Sequence, residues 1–215
     1  MSTIPSTPSK NVFEALRGFS RRNPAQERCD LCGVALPPQH QHLLQQAGRR
    51  VLCGCEPCTI LFSHRDGASR FLRIPRSGSI LADFRISDGE WNALRLPIDL
   101  AFFAHNSAEG RITAYYPSPA GSTESLLSLE AWDQIVRNNP ALAGMQPDVE
   151  ALLVNRTQGR HDYFIAPIDQ CYKLTGIIRM HWRGFSGGDT VWREVERFFE
   201  ELAERSSRVG GAAHA

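Results

Sequence analysis

Two C-x2-C pairs, "CDLCG" at Cys29 and Cys32 and "CEPC" at Cys55 and Cys58, stand 22 residues apart and constrain the fold of this chain more than any other feature. A C-x2-C turn aims two thiolates at one point while its backbone amides donate to the sulfurs. Two such turns surround an ion with the tetrahedral sulfur set that zinc prefers. Gly33 supplies the permissive backbone position that follows such a knuckle. The stretch between, "VALPPQHQHLLQQAGRRVL", has to return the chain as a loop or short hairpin, with "RRVL" as the strand entering the second knuckle. Cys29, Cys32, Cys55 and Cys58 are therefore the expected metal ligands.

A third cysteine sits in the second block, "LCGCEPC". Cys53 precedes Cys55 by two residues, which in a strand puts both on one face. It is expected as a half-buried neighbour of the site. The sharper roles are replacing a ligand or forming a redox pair with a nearby thiol once metal leaves. His40 and His42 in "HQHLL" carry imidazoles able to join or substitute, so Cys53, His40 and His42 are second-choice ligands. Zinc is the expected ion; a single iron suits four thiolates equally, and the fifth clustered cysteine leaves a cluster open.

The remaining bounds are coarser. A chain of 215 residues, 42% hydrophobic, buries a core without disulfides. Five of its six cysteines fall between Cys29 and Cys58, with Cys171 apart. No run approaches the roughly 18 apolar residues of a membrane span, and "MSTIPSTPSKNVFEALRGFSRRNP" lacks an apolar signal-type core, so a cytoplasmic protein is expected. In that reducing compartment, crowded cysteines point to metal ligation.

Net charge is +1 but segregated: residues 1–76 hold eleven basic against five acidic side chains, or +6, and the remainder 13 against 18, or −5. Four thiolates on a divalent ion still leave the first part basic. Arg49, Arg50, Arg70, Arg73 and Arg76 are the candidate contacts to an acidic partner.

Four segments are expected. Residues 1–27 form a flexible arm with a short amphipathic helix carrying Val12, Phe13, Leu16 and Phe19, and residues 28–76 form the metal-binding module, running through a helix or extended arm to a joint at Ile74-Pro75. Residues 77–205 alternate strands and helices, and 206–215 read as a disordered tail. In the third segment "SDGEW" is a capping box with Ser87 as N-cap and Glu90 at N3. Hairpins are expected around Gly110 and at Gln158-Gly159, with a helix capped by Ser128 between them. Two more helices follow, the last with Trp192, Val195, Phe199 and Leu202 as its apolar stripe. The fold class is α+β: a small zinc-ribbon or treble-clef-like module packed on an antiparallel-sheet domain.

No reaction is legible. The stretch "YYPSPAGSTES", Tyr115 to Ser125, offers hydroxyls and a glycine but matches no phosphate-binding fingerprint, and reads as a rigid surface loop. "WRGFSGGD" is a glycine turn between helices. His105, His161 and His181 are scattered, and Glu130, Asp133 and Asp169 fit the acid preference of helix first turns.

The stretches "CDLCGVALPPQHQHLL", "RRVLCGCEPCTILF", "LPIDLAFFAHNSAEGRITAYYPSPAGSTES", "DVEALLV" and "APIDQCYKLTGIIRMHWRGFSGG", with the final helix, resemble an actinobacterial-type family of unknown function, over about residues 28–205. Its members are encoded beside nickel-iron hydrogenase structural and maturation genes. The resemblance implies that Cys53 belongs to the cysteine block and supplies no catalytic residue. It implies a zinc-binding cytoplasmic accessory protein that assists hydrogenase maturation or assembly by protein contacts, its partners being hydrogenase subunits or maturation factors. The alternatives are an iron-binding redox carrier at the cysteine block and a zinc-dependent nucleic-acid-binding regulator; the latter lacks the expected aromatic interleaving and recognition helix.

Overall fold

The computed structural model describes residues 26–63, 69–125, 129–184 and 186–209. The expected helix at Val12–Phe19 and the N-cap at Ser128 lie outside the described residues.

The module is a three-stranded antiparallel sheet with a short helix. Strand β1 (Gln41–Gln45) pairs with β2 (Arg50–Gly54) as the returning hairpin, helix α1 (Glu56–Phe62) follows, and β3 (Phe71–Arg73) adds to the other side of β1. Alternation along β1 sends Leu43 and Leu44 to opposite faces, both fully buried. Leu44 and Ile74 belong to the core of the larger domain, so the module shares that core.

The larger domain is a seven-stranded sheet. Its strands are β4 (Ser79–Leu81), β5 (Leu100–Asn106), β6 (Arg111–Ser118), β7 (Gly121–Ser125), β8 (Glu150–Asn155), β9 (Asp162–Pro167) and β10 (Ser207–Val209), in the order β10-β4-β9-β8-β5-β6-β7. Every pairing is antiparallel except β10 with β4. Helices α4 (Ile168–His181) and α5 (Gly188–Glu204) cover one face, over Leu100, Phe102 and Leu153. The other face lies under α2 (Asp88–Ala93) and α3 (Leu129–Asn138), where Trp91, Trp132 and Ile135 pack on Phe103 and Leu152. Both faces being buried explains the unbroken apolar runs "LAFFA" and "ALLV" in β5 and β8.

Local signals shape these elements as expected. Ser87 and Glu90 form both halves of the capping box at α2. The second hairpin turns through Gln158 and Gly159, both at positive φ. In α5, Val195, Phe199 and Leu202 are buried, joined by Val191 and Phe198, with Trp192 packed against them. Gly187 has φ +86°, and a Cβ there would stand 2.8 Å from Val191 Cγ1, so the turn from α4 to α5 requires glycine.

Two readings are corrected. Tyr115–Ser125 is no loop: β6 runs to Ser118 and β7 returns from Gly121, a tight hairpin at the sheet edge. Pro117 is tolerated because β5 pairs with β6 only as far as Tyr115, so its missing N–H faces no neighbouring strand. Within the stretch read as a disordered tail, Ser207–Val209 form β10. Among the described residues no helix is long and apolar enough to cross a membrane.

Candidate metal centre

The first knuckle is a bridged turn. Arg28 pairs with Ala35, Cys29 N donates to Val34 O at 2.9 Å, and Gly33 N donates to Cys29 O at 2.8 Å. Gly33 has φ +77°, the left-handed conformation that its place after the knuckle predicts. The second knuckle opens α1: Cys55 is the N-cap, Pro57 fits the first turn, where an N–H is dispensable, and Cys58 points into the module. Gly54 makes this possible, since a Cβ there would meet Thr59 Oγ1 at 2.8 Å and push the helix off the strand.

These two turns bring the sulfurs of Cys29, Cys32, Cys55 and Cys58 within 4.8 Å of one another, the Cys32 and Cys55 sulfurs standing 3.7 Å apart. Four sulfurs at about 2.3 Å from a tetrahedral zinc are about 3.8 Å apart, so the set fits the ion. The pair is far too distant for a disulfide, which needs about 2.05 Å. Cys29 and Cys58 are buried; Cys32 is exposed.

The electrostatics ask for a cation. Burial opposes ionisation of Cys29, but backbone N–H groups of Cys55, Cys32 and Leu31 aimed at its sulfur bring the thiol down to about 6. Cys58 is pushed up to about 12, first by the neighbouring Cys55 sulfur and then by burial. Four thiols this close do not all ionise by themselves; a divalent ion removes the conflict. The module offers little else to hold it: its own cluster has Cys29, Leu36 and Cys58 buried, with Leu31, Cys53 and Cys55 packed partly against them.

The second-choice ligands fall elsewhere. Cys53, His40 and His42 form a separate group, their ligand atoms within 4.8 Å of one another. Cys53 N donates to Asp30 Oδ2 at 2.6 Å, which ties β2 to the first knuckle. Burial, then the charges of Glu27, Asp30 and Cys29, push the Cys53 thiol up.

The five arginines also divide. Arg49 is spent inside the molecule: Nη1 donates to Asp148 Oδ1 at 2.8 Å, and the two side chains are 24% and 7% exposed. Arg73 and Arg76 reach the two oxygens of Glu56 at 3.1 and 3.4 Å, on the surface. Arg50 and Arg70 are exposed. Helix α1 exposes Ile60, Leu61 and Phe62 at 58, 61 and 47%. A cleft of about 880 Å³ runs from Ile60 past Phe71, Arg73 and Arg76 to Gln146 and Pro147 of the larger domain.

Sequence reasoning missed three features. Asp169, taken as a first-turn acid of α4, also faces His42 Nδ1 at 2.7 Å. Asp148 has φ +67° and receives both Arg49 and Ser107 N. The exposure of Ile60–Phe62 carried no signal, because "TILF" reads equally as a buried turn of helix. In the 115–125 stretch Ser118 Oγ donates to Gly121 O at 2.9 Å and lies 3.2 Å from Thr123 Oγ1, so these two hydroxyls serve the hairpin.

Comparison with known proteins gives one positive finding. A family model described as a family of unknown function (DUF5947) matches residues 28–206, which takes in the cysteine block and every strand of the seven-stranded sheet except β10. No curated protein and no solved structure matches.

Proposed function

The chain belongs to the DUF5947 family, and we propose that it is a zinc-stapled accessory protein that docks on an acidic protein partner through its cysteine module. Zinc on Cys29, Cys32, Cys55 and Cys58 is structural in this reading: four protein ligands close the coordination sphere.

The observation that carries the reading is the placement of ligand and contact face on one seven-residue helix. Helix α1 supplies Cys58 and, within the next turn, the exposed Ile60, Leu61 and Phe62. Three large apolar side chains exposed within one turn of helix are the anchors an interaction surface uses. Arg73 and Arg76, beside Glu56 at the start of α1, and Arg70, next to the Ser69 that bonds Phe62 O, give it a basic edge only partly offset by Glu56, which suits an acidic partner and speeds encounter. A helix this short depends on tertiary contacts, and in this reading the ion held by Cys55 and Cys58 anchors it beside the buried Thr59. The resemblance to a family encoded beside nickel-iron hydrogenase genes makes hydrogenase subunits and maturation factors, in the cytoplasm, the first partners to test.

The test is co-purification of tagged protein with those subunits and factors, with metal content measured on the same sample. Zinc on the tetrad, and capture abolished by Leu61→Asp or by joint reversal of Arg70 and Arg73 to Glu, is expected. Capture unaffected by both changes sinks this surface. Iron with a visible chromophore on the same four sulfurs would replace the reading with electron transfer.

A further inference from the structure

The group formed by His40, His42 and Cys53 follows from strand register. His42 and Cys53 are directly opposed across β1 and β2, which puts their Cβ atoms about 5 Å apart on one face. His40 stands just ahead of β1, two residues before His42. The two imidazoles meet edge to face with centroids 4.9 Å apart.

The outer contacts of each ring decide which nitrogens face the group. His40 Nδ1 lies 3.0 Å from Pro37 O. A carbonyl has no hydrogen to give, so Nδ1 carries the proton and Nε2 keeps a lone pair. That Nε2 is buried with no hydrogen-bond partner, in a side chain only 5% exposed. A buried acceptor left so costs about 1–3 kcal/mol. His42 Nδ1 faces Asp169 Oδ2 at 2.7 Å, the carboxylate–imidazole contact that fixes a ring and raises the basicity of its other nitrogen. Cys53 is held by its backbone, N to Asp30 Oδ2 at 2.6 Å and O from Asp30 N at 2.9 Å, which leaves its sulfur uncommitted. The Glu27 carboxylate, 3.6 Å from His40 Nδ1, adds negative charge nearby.

We propose that His40 Nε2, His42 Nε2 and Cys53 Sγ form a second metal site, separate from the four-cysteine centre, that takes zinc or a similar divalent transition ion. Two imidazoles and one thiolate are a donor set suited to zinc, cobalt or copper. Three protein ligands leave a fourth position for water or a group from outside, the arrangement of reactive rather than structural zinc sites. The site opens on the His42 side, where the ring is 31% exposed. Asp169 is its positioning residue and couples it to the first turn of α4. The third cysteine of "LCGCEPC" thus belongs to a different ion from its neighbours.

The experiment is titration of the metal-free, reduced full chain with cobalt(II), read by absorption, with zinc content of the reconstituted protein measured in parallel. Two equivalents are expected in the wild type: one with the intense near-ultraviolet charge transfer of four thiolates, one with that of a single thiolate. Cys53→Ser and His42→Gln should each abolish the second equivalent and leave the four-thiolate spectrum unchanged. Asp169→Asn should weaken the second equivalent by about 10–100-fold without removing it. His42 and Cys53 are both partly exposed, so these variants test the site without emptying the core, and circular dichroism checks their fold. A single equivalent in the wild type, or a second equivalent retained at full affinity by either Cys53→Ser or His42→Gln, would overturn the proposal. Either result leaves partner docking to be judged on its own assay.

Discussion

Replacing Arg49 by Met should destabilise the protein by about 2–3 kcal/mol and leave partner capture unchanged. Met keeps the stem of the side chain and removes the guanidinium that donates to Asp148 Oδ1 at 2.8 Å. Removing one partner of a fully buried ion pair costs about 3–5 kcal/mol, because the other charge stays buried and unpaired. The cost here is smaller for two reasons. Arg49 is 24% exposed, so water already screens part of the pair, and Asp148 keeps Ser107 N at 3.1 Å. A loss of 2–3 kcal/mol lowers the folding equilibrium constant about 30- to 150-fold and Tm by roughly 5–10 °C. The assay is urea unfolding followed by circular dichroism and tryptophan fluorescence. Asp148→Asn completes the cycle cleanly: Asp148 has φ +67°, and Asn is among the few residues that accept it. A coupling above about 1 kcal/mol is expected between the two changes. If Arg49→Met stays within about 0.5 kcal/mol of wild type, or the double variant is additive, the pair does not latch the module to the larger domain. Loss of partner capture with unchanged stability would return Arg49 to the contact surface.

Removing metal from the four-cysteine centre should melt the knuckles and α1 while the seven-stranded domain persists, since the module's own cluster is small whereas Leu44 and Ile74 anchor β1 and β3 in the main core; hydrogen exchange or limited proteolysis with and without chelator reads this, and loss of the whole fold at once would refute it. Cys171 is fully buried and burial pushes its thiol far up, so it should resist thiol reagents until global unfolding, whereas the clustered cysteines of metal-free protein react at once. Gly187→Ala should cost about 2–4 kcal/mol, from a φ of +86° and a Cβ 2.8 Å from Val191 Cγ1; a change below about 0.5 kcal/mol in urea unfolding contradicts the geometry. Hydrogen bonds from the Ser87 backbone and hydroxyl hold the Glu90 carboxyl below its usual range. Its contribution is present above the ordinary pKa of about 4.3 and is lost as pH falls through the lower folded value. Glu90→Gln should therefore be less stable than wild type at pH 7 and converge with it in acid; a gap independent of pH would count against the linkage.

Local chemistry in the sequence determined a great deal of this protein. The knuckles, the capping box at Ser87 and Glu90, the turns at Gly110 and Gln158-Gly159 and the apolar stripe of α5 each depend on neighbours within a few residues, where spacing and backbone preference speak directly. The clustering of Cys29, Cys32, Cys55 and Cys58 was legible for that reason, as each knuckle is a local turn and only the joining of the two is long-range. Pairing register and domain packing decided the rest. Whether Cys53 faces its neighbours or the two histidines depends on Cys53 standing opposite His42, and a slip of one residue would turn it to the other face of the hairpin. Asp169 lies 127 residues from His42 and Asp148 lies 99 from Arg49. No periodicity links such positions; they meet because Leu44 and Ile74 are buried in the larger domain's core, and that burial sets the module against α4 and the start of β8.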